Sequence, residues 1–294
     1  MPLDPHRVLA HRFQPVEQTY GPRDAMLYAL GIGYGRQTPS AAELDFLFEE
    51  RLKVPPTFAV TLGFKSIRDE NLGIDFARVV HSEQQLILHQ PLPPTARVVC
   101  HLRVPRLVDR GADKGAMLYL EREVRDADSQ ALYATSTMVS YCRGDGGFRA
   151  EPEAAPAAMS VPNTPCEQAF DATLPDNAAF IYRLSGDYNP LHVNPAFASQ
   201  AGFQKPILHG LLLLGEAGRL ALGAYGGHAP ERMRSIQCRF TRPTFAGDAI
   251  EVGFWRLPED PLGEPDTLAL AFRVRVPLRG ETALDNGLVR FRAS

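Results

Sequence analysis

His209-Gly-Leu-Leu-Leu-Leu-Gly-Glu-Ala-Gly-Arg-Leu-Ala-Leu-Gly223 is apolar around nearly its whole circumference. A surface helix carries one apolar stripe, so a segment apolar on every side has to be enclosed. Residues able to enclose it follow directly. The segments of about Ser235 to Arg242, Ala249 to Leu257, Leu268 to Val276 and Leu284 to Arg292 alternate or are rich in β-branched residues, and so read as strands. An antiparallel sheet curled round one long helix is the economical arrangement. Just upstream, Asn194-Pro195 supplies the N-cap and first-turn proline of a short helix that Gly202 ends.

The same layout recurs earlier in the chain. Glu151-Pro-Glu-Ala-Ala-Pro-Ala-Ala-Met-Ser-Val-Pro-Asn-Thr-Pro165 has neither helical nor strand periodicity and reads as a linker between residues 1–150 and 166–294. Across it the halves resemble each other at an offset of about 150 residues. Tyr28-Ala-Leu-Gly31 answers Tyr182-Arg-Leu-Ser-Gly186, each ending an apolar segment at a glycine suited to a helix C′ position. His89-Gln-Pro-Leu-Pro-Pro-Thr-Ala-Arg-Val98 answers Thr241-Arg-Pro-Thr-Phe-Ala-Gly-Asp-Ala-Ile250, and Leu118-Tyr-Leu-Glu-Arg-Glu-Val-Arg125 answers Leu268-Ala-Leu-Ala-Phe-Arg-Val-Arg275. Three matches in one order point to duplication. In the first half Ser40 and Glu43 form a capping box that marks a helix start.

Composition narrows the partners. The 294 residues are 45% hydrophobic and 22% charged, those of a globular chain long enough for two domains. A net charge of −3 with dispersed Lys and Arg offers no field for nucleic acid. No run approaches the roughly 18 apolar residues of a membrane span, and the first residues lack a secretory pattern. Cys100, Cys142, Cys166 and Cys238 show no CxxC pairing, which argues against a zinc site and a disulfide framework and favours a reducing cytoplasm. The ending Phe291-Arg-Ala-Ser294 is not a peroxisomal S-K-L signal. Gly31-Ile-Gly-Tyr-Gly35 lacks the spacing of a dinucleotide loop, and no G-x-S-x-G elbow is present.

Chemistry points to one loop. In Ser185-Gly-Asp-Tyr-Asn-Pro-Leu-His192 a carboxylate and an imidazole flank Asn-Pro, a turn that can aim Asp187 and His192 into one space. An imidazole titrates near neutral pH and a carboxylate can accept a bond from the same water, so the pair can remove one proton and return another. Asn189 can fix the water or the loop. Beyond it, in Lys205-Pro-Ile-Leu-His-Gly210, Gly210 starts the enclosed helix and offers an unpaired N–H, aided by the helix dipole. Such a donor suits the oxyanion of a thioester turning into an enolate.

The run Tyr182-Arg-Leu-Ser-Gly-Asp-Tyr-Asn-Pro-Leu-His-Val-Asn-Pro-Ala-Phe-Ala198, followed by Gly202-Phe-Gln-Lys-Pro-Ile-Leu-His-Gly-Leu211, resembles the MaoC-like (R)-specific enoyl-CoA hydratases, or hydratase 2. Val80-His-Ser-Glu-Gln84, Gln90-Pro-Leu-Pro93 and Leu107-Val-Asp-Arg-Gly111 extend the resemblance to the two-domain hydratase 2 unit of peroxisomal multifunctional enzymes of type 2, so nearly the whole chain is covered. The resemblance implies an α+β double hotdog, each half an antiparallel sheet wrapped around a long helix. It also implies that the first half has lost its catalytic loop and serves to accommodate the acyl chain. The sequence agrees, for Ile32-Gly-Tyr-Gly-Arg36 holds no Asp or His.

Carried over by position, Asp187 and His192 match the catalytic pair and Gly210 the oxyanion donor, with Asn189 in the same loop. Coenzyme A, as part of the substrate, would contact His81, Ser82, Arg110, Tyr188, Pro190, Leu191 and Phe240. Ser82 and Arg110 depart from the glycine and lysine of the multifunctional enzymes, and arginine keeps a cation for phosphate with a different geometry. No metal or redox cofactor is implied, the partner is an acyl-CoA thioester, and homodimers are common among such chains. The rival readings are a hotdog thioesterase and a non-catalytic acyl-CoA binding protein. The Asp-x-Asn-Pro-x-His loop favours hydration over both.

Overall fold

The computed structural model describes residues 3–149, 154 and 159–293. The first half begins with helix α1 (Pro5–Ala10), strand β1 (Val16–Tyr20), helix α2 (Pro22–Gly31) and helix α3 (Ala41–Leu44). A buried 3-10 turn at Pro56–Val60 leads to strands β2 (Val79–Leu88), β3 (Ala96–Asp109), β4 (Ala116–Asp126) and β5 (Leu132–Cys142). The second half runs β6 (Gln168–Thr173), α4 (Ala178–Tyr182), α5 (Pro195–Gln200), α6 (Gly210–Ala224), β7 (Met233–Phe240), β8 (Ala249–Arg256), β9 (Thr267–Val276) and β10 (Glu281–Arg292).

All ten strands form one antiparallel sheet in the order β1-β3-β4-β5-β2-β7-β10-β9-β8-β6. The order is mirrored about the β2–β7 seam, where Glu83 faces Arg239 and Leu86 faces Ile236. Each strand of the first half thus has a counterpart at the same place in the second, as the duplication requires. The matched segments after His89 and Thr241 are the equivalent β2–β3 and β7–β8 connections.

Helix α6 is enclosed as its composition demands. Leu211 to Gly218, Ala221 and Leu222 are buried against β7, β9, β10 and the Pro56–Val60 turn. Each leucine so buried contributes about 1.5–3 kcal/mol. The first half departs from the expectation of a long helix. Its enclosed position is filled by Pro56–Val60, whose Pro55-Pro56 start favours a short turn, and Pro55 to Gly63 are buried throughout.

Local signals hold with small shifts. Asn194 Oδ1 caps α5 by accepting from Ala196 N and Phe197 N, and Gly202 takes φ +86°. Ser40 and Glu43 exchange the two bonds of a capping box, although the helix they start is only Ala41–Leu44. Gly186 ends the α4 turn with φ +125°, as expected, whereas Gly31 stays helical and Gly33 supplies the left-handed turn at φ +101°. Residues 150–153 and 155–158 of the linker region lie outside the described residues. Its later part packs: Val161 is buried with Trp255 and Ala271, and Trp255 Nε1 donates to the Thr164 carbonyl at 2.8 Å.

One feature of α6 was not legible from its apolar pattern. Glu216 is fully buried, 2.8 Å from Arg36 and 2.6 Å from Arg219. These groups occupy the space beside the Ile32–Arg36 loop, where Tyr34 is buried and stacks on Phe46 at 4.6 Å.

Candidate active site

The loop between α4 and α5 is built by its own short-range bonds. Asn189 N donates to Asp187 Oδ1 at 3.2 Å, and Asn189 Oδ1 accepts from Leu191 N at 3.1 Å. Asn189 therefore fixes the loop, one of the two roles its sequence position allowed. This Asx turn brings His192 back toward Asp187, leaving Nε2 at 4.0 Å from Oδ2. That separation is too long for a direct hydrogen bond and fits one water bonded to both groups.

The tautomer of His192 follows from its other nitrogen. Nδ1–H donates to the Ile207 carbonyl at 2.9 Å, so Nε2 turns its lone pair toward the carboxylate. Burial lowers the pKa of His192 below the ordinary imidazole value, more than the Ile207 bond and Asp187 raise it. The neutral form, able to accept a proton from water, persists at neutral pH.

His209, the N-cap of α6, completes the constellation and was not singled out from the sequence. It is buried, stacks on His192 with ring centroids 3.7 Å apart, and donates from Nε2 to the Asp187 carbonyl at 3.2 Å. Burial, reinforced by His192, lowers its pKa to about 3. The signal available was its place directly before Gly210. Asp187, His192 and His209 bring ligand-type atoms within 4.8 Å of one another.

Gly210 is the first residue of α6, so its N–H has no acceptor within the helix. A Cβ there would lie 2.6 Å from Cδ1 and Cε1 of Phe240, so only glycine admits this approach. Phe240 in turn meets His81 edge-on at 4.7 Å across the β2–β7 seam. Burial lowers the His81 pKa to about 4, and its Nε2 lies 3.1 Å from the Glu83 carbonyl. Ser82 is buried at a bulge in the β2–β5 pairing. The structure thus brings Asp187, Asn189, His192 and Gly210 to one side of α6, with Phe240, His81 and Ser82 adjoining.

The remaining predicted contacts lie on the rim. Tyr188, Asn189 and Pro190 are exposed and Leu191 is half-buried, with Arg183 stacked over the Tyr188 ring at 5.0 Å. Arg110 sits at the β3–β4 turn, directly after Asp109, whose row across the sheet runs through Ala116 and Cys142 to Val79. Burial pushes the Asp109 carboxyl up, but bonds from Gly111 N, Gly147 N and Arg149 N outweigh it and hold the carboxyl below its usual range. Asp109 is thereby occupied with backbone N–H groups.

The half-buried His81 and the buried His209 give a stability prediction. Unfolded, each takes up a proton near pH 6.5, whereas folded His81 resists to about 4 and His209 to about 3. The unfolded state therefore binds more protons in this window, and stability falls as pH drops below about 6.5. The urea midpoint is expected to be lower at about pH 5 than at about pH 7, with a smaller drop in His209→Gln. An equal drop in the variant would remove His209 from the account.

Comparison with known proteins adds the lineage. Residues 18–144 match the MFE-2 hydratase 2 N-terminal domain and residues 157–265 the MaoC like domain. The chain is 35% identical over 262 residues to 3-hydroxyacyl-thioester dehydratase Y of Mycobacterium tuberculosis, covering 87% of this chain and 88% of that protein. It belongs to the MaoC-like hydratase 2 family. Another relative is the peroxisomal enoyl-CoA hydratase 2 of Arabidopsis thaliana, 31% identical over 94% of this chain and 92% of that one. Peroxisomal multifunctional enzyme type 2 of Mus musculus is 30% identical over 96% of this chain, which spans only 38% of that longer protein.

Solved structures agree on the MaoC-like fold. A MaoC-like dehydratase from Phytophthora capsici superposes with a TM-score of 0.83 at 27% identity, over 99% of this chain and 100% of that one. A Mycobacterium tuberculosis protein described as a double hotdog, 13% identical, superposes with a TM-score of 0.57 over 96% of this chain and 95% of that one. The hydratase 2 chain described here is an α+β double hotdog. Among the described residues no helix is long and apolar enough to cross a membrane.

Proposed function

We propose that this chain is an (R)-specific 2-enoyl-CoA hydratase, which adds water syn to a trans-2-enoyl-CoA and catalyses the reverse dehydration of the (3R)-hydroxyacyl-CoA. The observation that carries the reading is the 4.0 Å gap between Asp187 and a neutral His192 Nε2, beside the free N–H of Gly210. The pair holds one water over the C2–C3 double bond. Oxygen adds to C3 and a proton reaches C2 from the same face, so one water is consumed and no electrons are exchanged. Gly210 N–H, at the positive end of α6, stabilises the enolate-like thioester oxygen between the two events. Such an addition balances without a metal or redox cofactor, coenzyme A entering only with the substrate.

Residues 166–294 would be the catalytic half and residues 1–150 the half that accommodates the acyl chain, with 151–165 between them. The buried Tyr34 and the Arg36–Glu216 pair, standing where the second half has its loop, support that division. Medium, long or bulky acyl chains are the proposed substrates. The cysteines are free, which supports a reducing compartment such as the cytoplasm, and a homodimer is the proposed assembly.

His81, Ser82, Tyr188, Pro190, Leu191 and Phe240 would line the thioester and pantetheine, and Arg110 would hold phosphate. Arg110→Ala is expected to raise KM several-fold with kcat little changed. An unchanged KM would exclude that contact. The reading itself is tested by loss of enoyl-thioester absorbance with crotonyl-CoA, decenoyl-CoA and a branched enoyl-CoA, together with product chirality. Release of free thiol would mark a thioesterase instead, and binding without turnover an acyl-CoA binding protein.

A further inference from the structure

The inner face of the first-half sheet carries buried polar side chains between two apolar clusters. Cys100, Val124, Ala134 and Leu86 belong to one cluster, and Leu102, Leu120 and Cys142 to the other. Between them lie Ser82, Gln84, Ser136 and Arg122, all buried. Gln84 Nε2 donates to Ser136 Oγ at 3.0 Å, and Ser136 faces Arg122 across the β4–β5 ladder.

Both ends of this strip approach the reactive loop. Ser82 follows His81, which touches the Phe240 ring that covers Gly210. At the other end Arg122 donates to the Val60 carbonyl at 2.6 Å. The next carbonyl, that of Thr61, lies 3.7 Å from the Cβ position of Gly186, the residue before Asp187.

Arg122 is the anomaly. A guanidinium has five N–H groups, yet among the described residues its one acceptor is Val60, and Nε is buried without a partner. Among the described residues no carboxylate is paired with it. Burial lowers its pKa, with the Cys100 thiol the charge-bearing group that acts against the shift. A buried cation is costly unless paired and fully hydrogen-bonded. An acceptor brought by the substrate would meet that cost.

We propose that Arg122 reads the acyl tail, and that the first-half interior receives an acyl chain carrying an oxygen acceptor, a carboxylate above all. This rests on the reading of Asp187 and His192 as acting on an acyl thioester. A carboxylate matches the planar donor fork of arginine. An alkyl tail at the same place leaves the guanidinium desolvated and unpaired, so the site selects against it.

The test compares length-matched enoyl-CoAs ending in a carboxyl or a methyl group, in the wild type, Arg122→Met and Arg122→Lys. The wild type is expected to favour the carboxyl substrate in kcat/KM by roughly tenfold or more, the scale of one charged hydrogen bond. Arg122→Met should invert that preference while melting no lower than the wild type, and Arg122→Lys should keep part of it. A methyl preference in the wild type, or a ratio unchanged in Arg122→Met, would overturn the proposal and leave Arg122 as a cap on Val60. Calorimetric binding of the saturated pair needs no turnover. Carboxyl preference there without hydration of either substrate would sustain Arg122 and sink the hydratase reading, and equal affinities would sink the role of Arg122.

Discussion

Asp187→Ala or His192→Ala is expected to lower kcat by about two orders of magnitude or more, the usual scale for a positioned acid or base, with a far smaller change in KM. On the proposed mechanism the two groups, 4.0 Å apart, share one water rather than binding the thioester separately, so removing either disables both. The double variant should be little worse than either single one. Asp187→Asn is the sharper test, because an amide oxygen can still accept from Asn189 N and keep the loop in shape. It should fold normally and still lose turnover. Burial of His192 adds a pH signature. Its pKa is lowered, so the neutral form survives into mild acid, and the acid limb of kcat/KM should lie below the ordinary imidazole value. A variant with near-normal kcat would remove that residue from the mechanism.

Glu216→Gln is expected to cost stability rather than chemistry. The carboxylate is wholly enclosed, ion-paired with Arg36 at 2.8 Å and hydrogen-bonded by Arg219 at 2.6 Å. Its loss leaves two partly buried guanidinium groups, with Glu43 at 3.7 Å from Arg219 as the remaining anion. Breaking a buried pair costs about 3–5 kcal/mol, and the residual exposure of both arginines argues for the lower end of that range. Urea unfolding measures it. A loss under about 1 kcal/mol would mean that solvent reaches the cluster, as at exposed pairs. Changing Glu216, Arg36 and Arg219 together to apolar residues should restore much of the loss, since it is the unpaired charges that are costly.

Much of this architecture was legible in the chain because its signals are short-range. The helix from Gly210, the four strands after it and the cap at Asn194 depend on residues a few positions apart, and all appear with boundaries shifted by a few residues. The repeat was equally readable, and the mirrored strand order about β2 and β7 is its consequence. The expectation of a long helix in the first half failed because duplication was extended to a segment with its own prolines, Pro55 and Pro56. Gly31 does end α2, but the C′ position expected of it falls two residues later, at Gly33. Gly33 takes the positive φ because the helix closes with Gly33 N bonded to the Leu30 carbonyl and Tyr34 N to that of Ala29, and Glu216 lies where a Cβ at Gly33 would be.

The sequence alone picked out the residues from which the candidate site is proposed. Asp187, Asn189, His192 and Gly210 sit in one local pattern of turn and helix start, and turn chemistry acts between neighbours. Tertiary structure decided what those residues can do. The stack of His209 on His192, the bond from His192 to Ile207, the Phe240 ring over Gly210 and the solitary guanidinium of Arg122 all join distant segments. Protonation state, tautomer and the cost of a buried charge depend on which groups exclude water from a given atom. That neighbourhood exists only once the two half-sheets have met along β2 and β7.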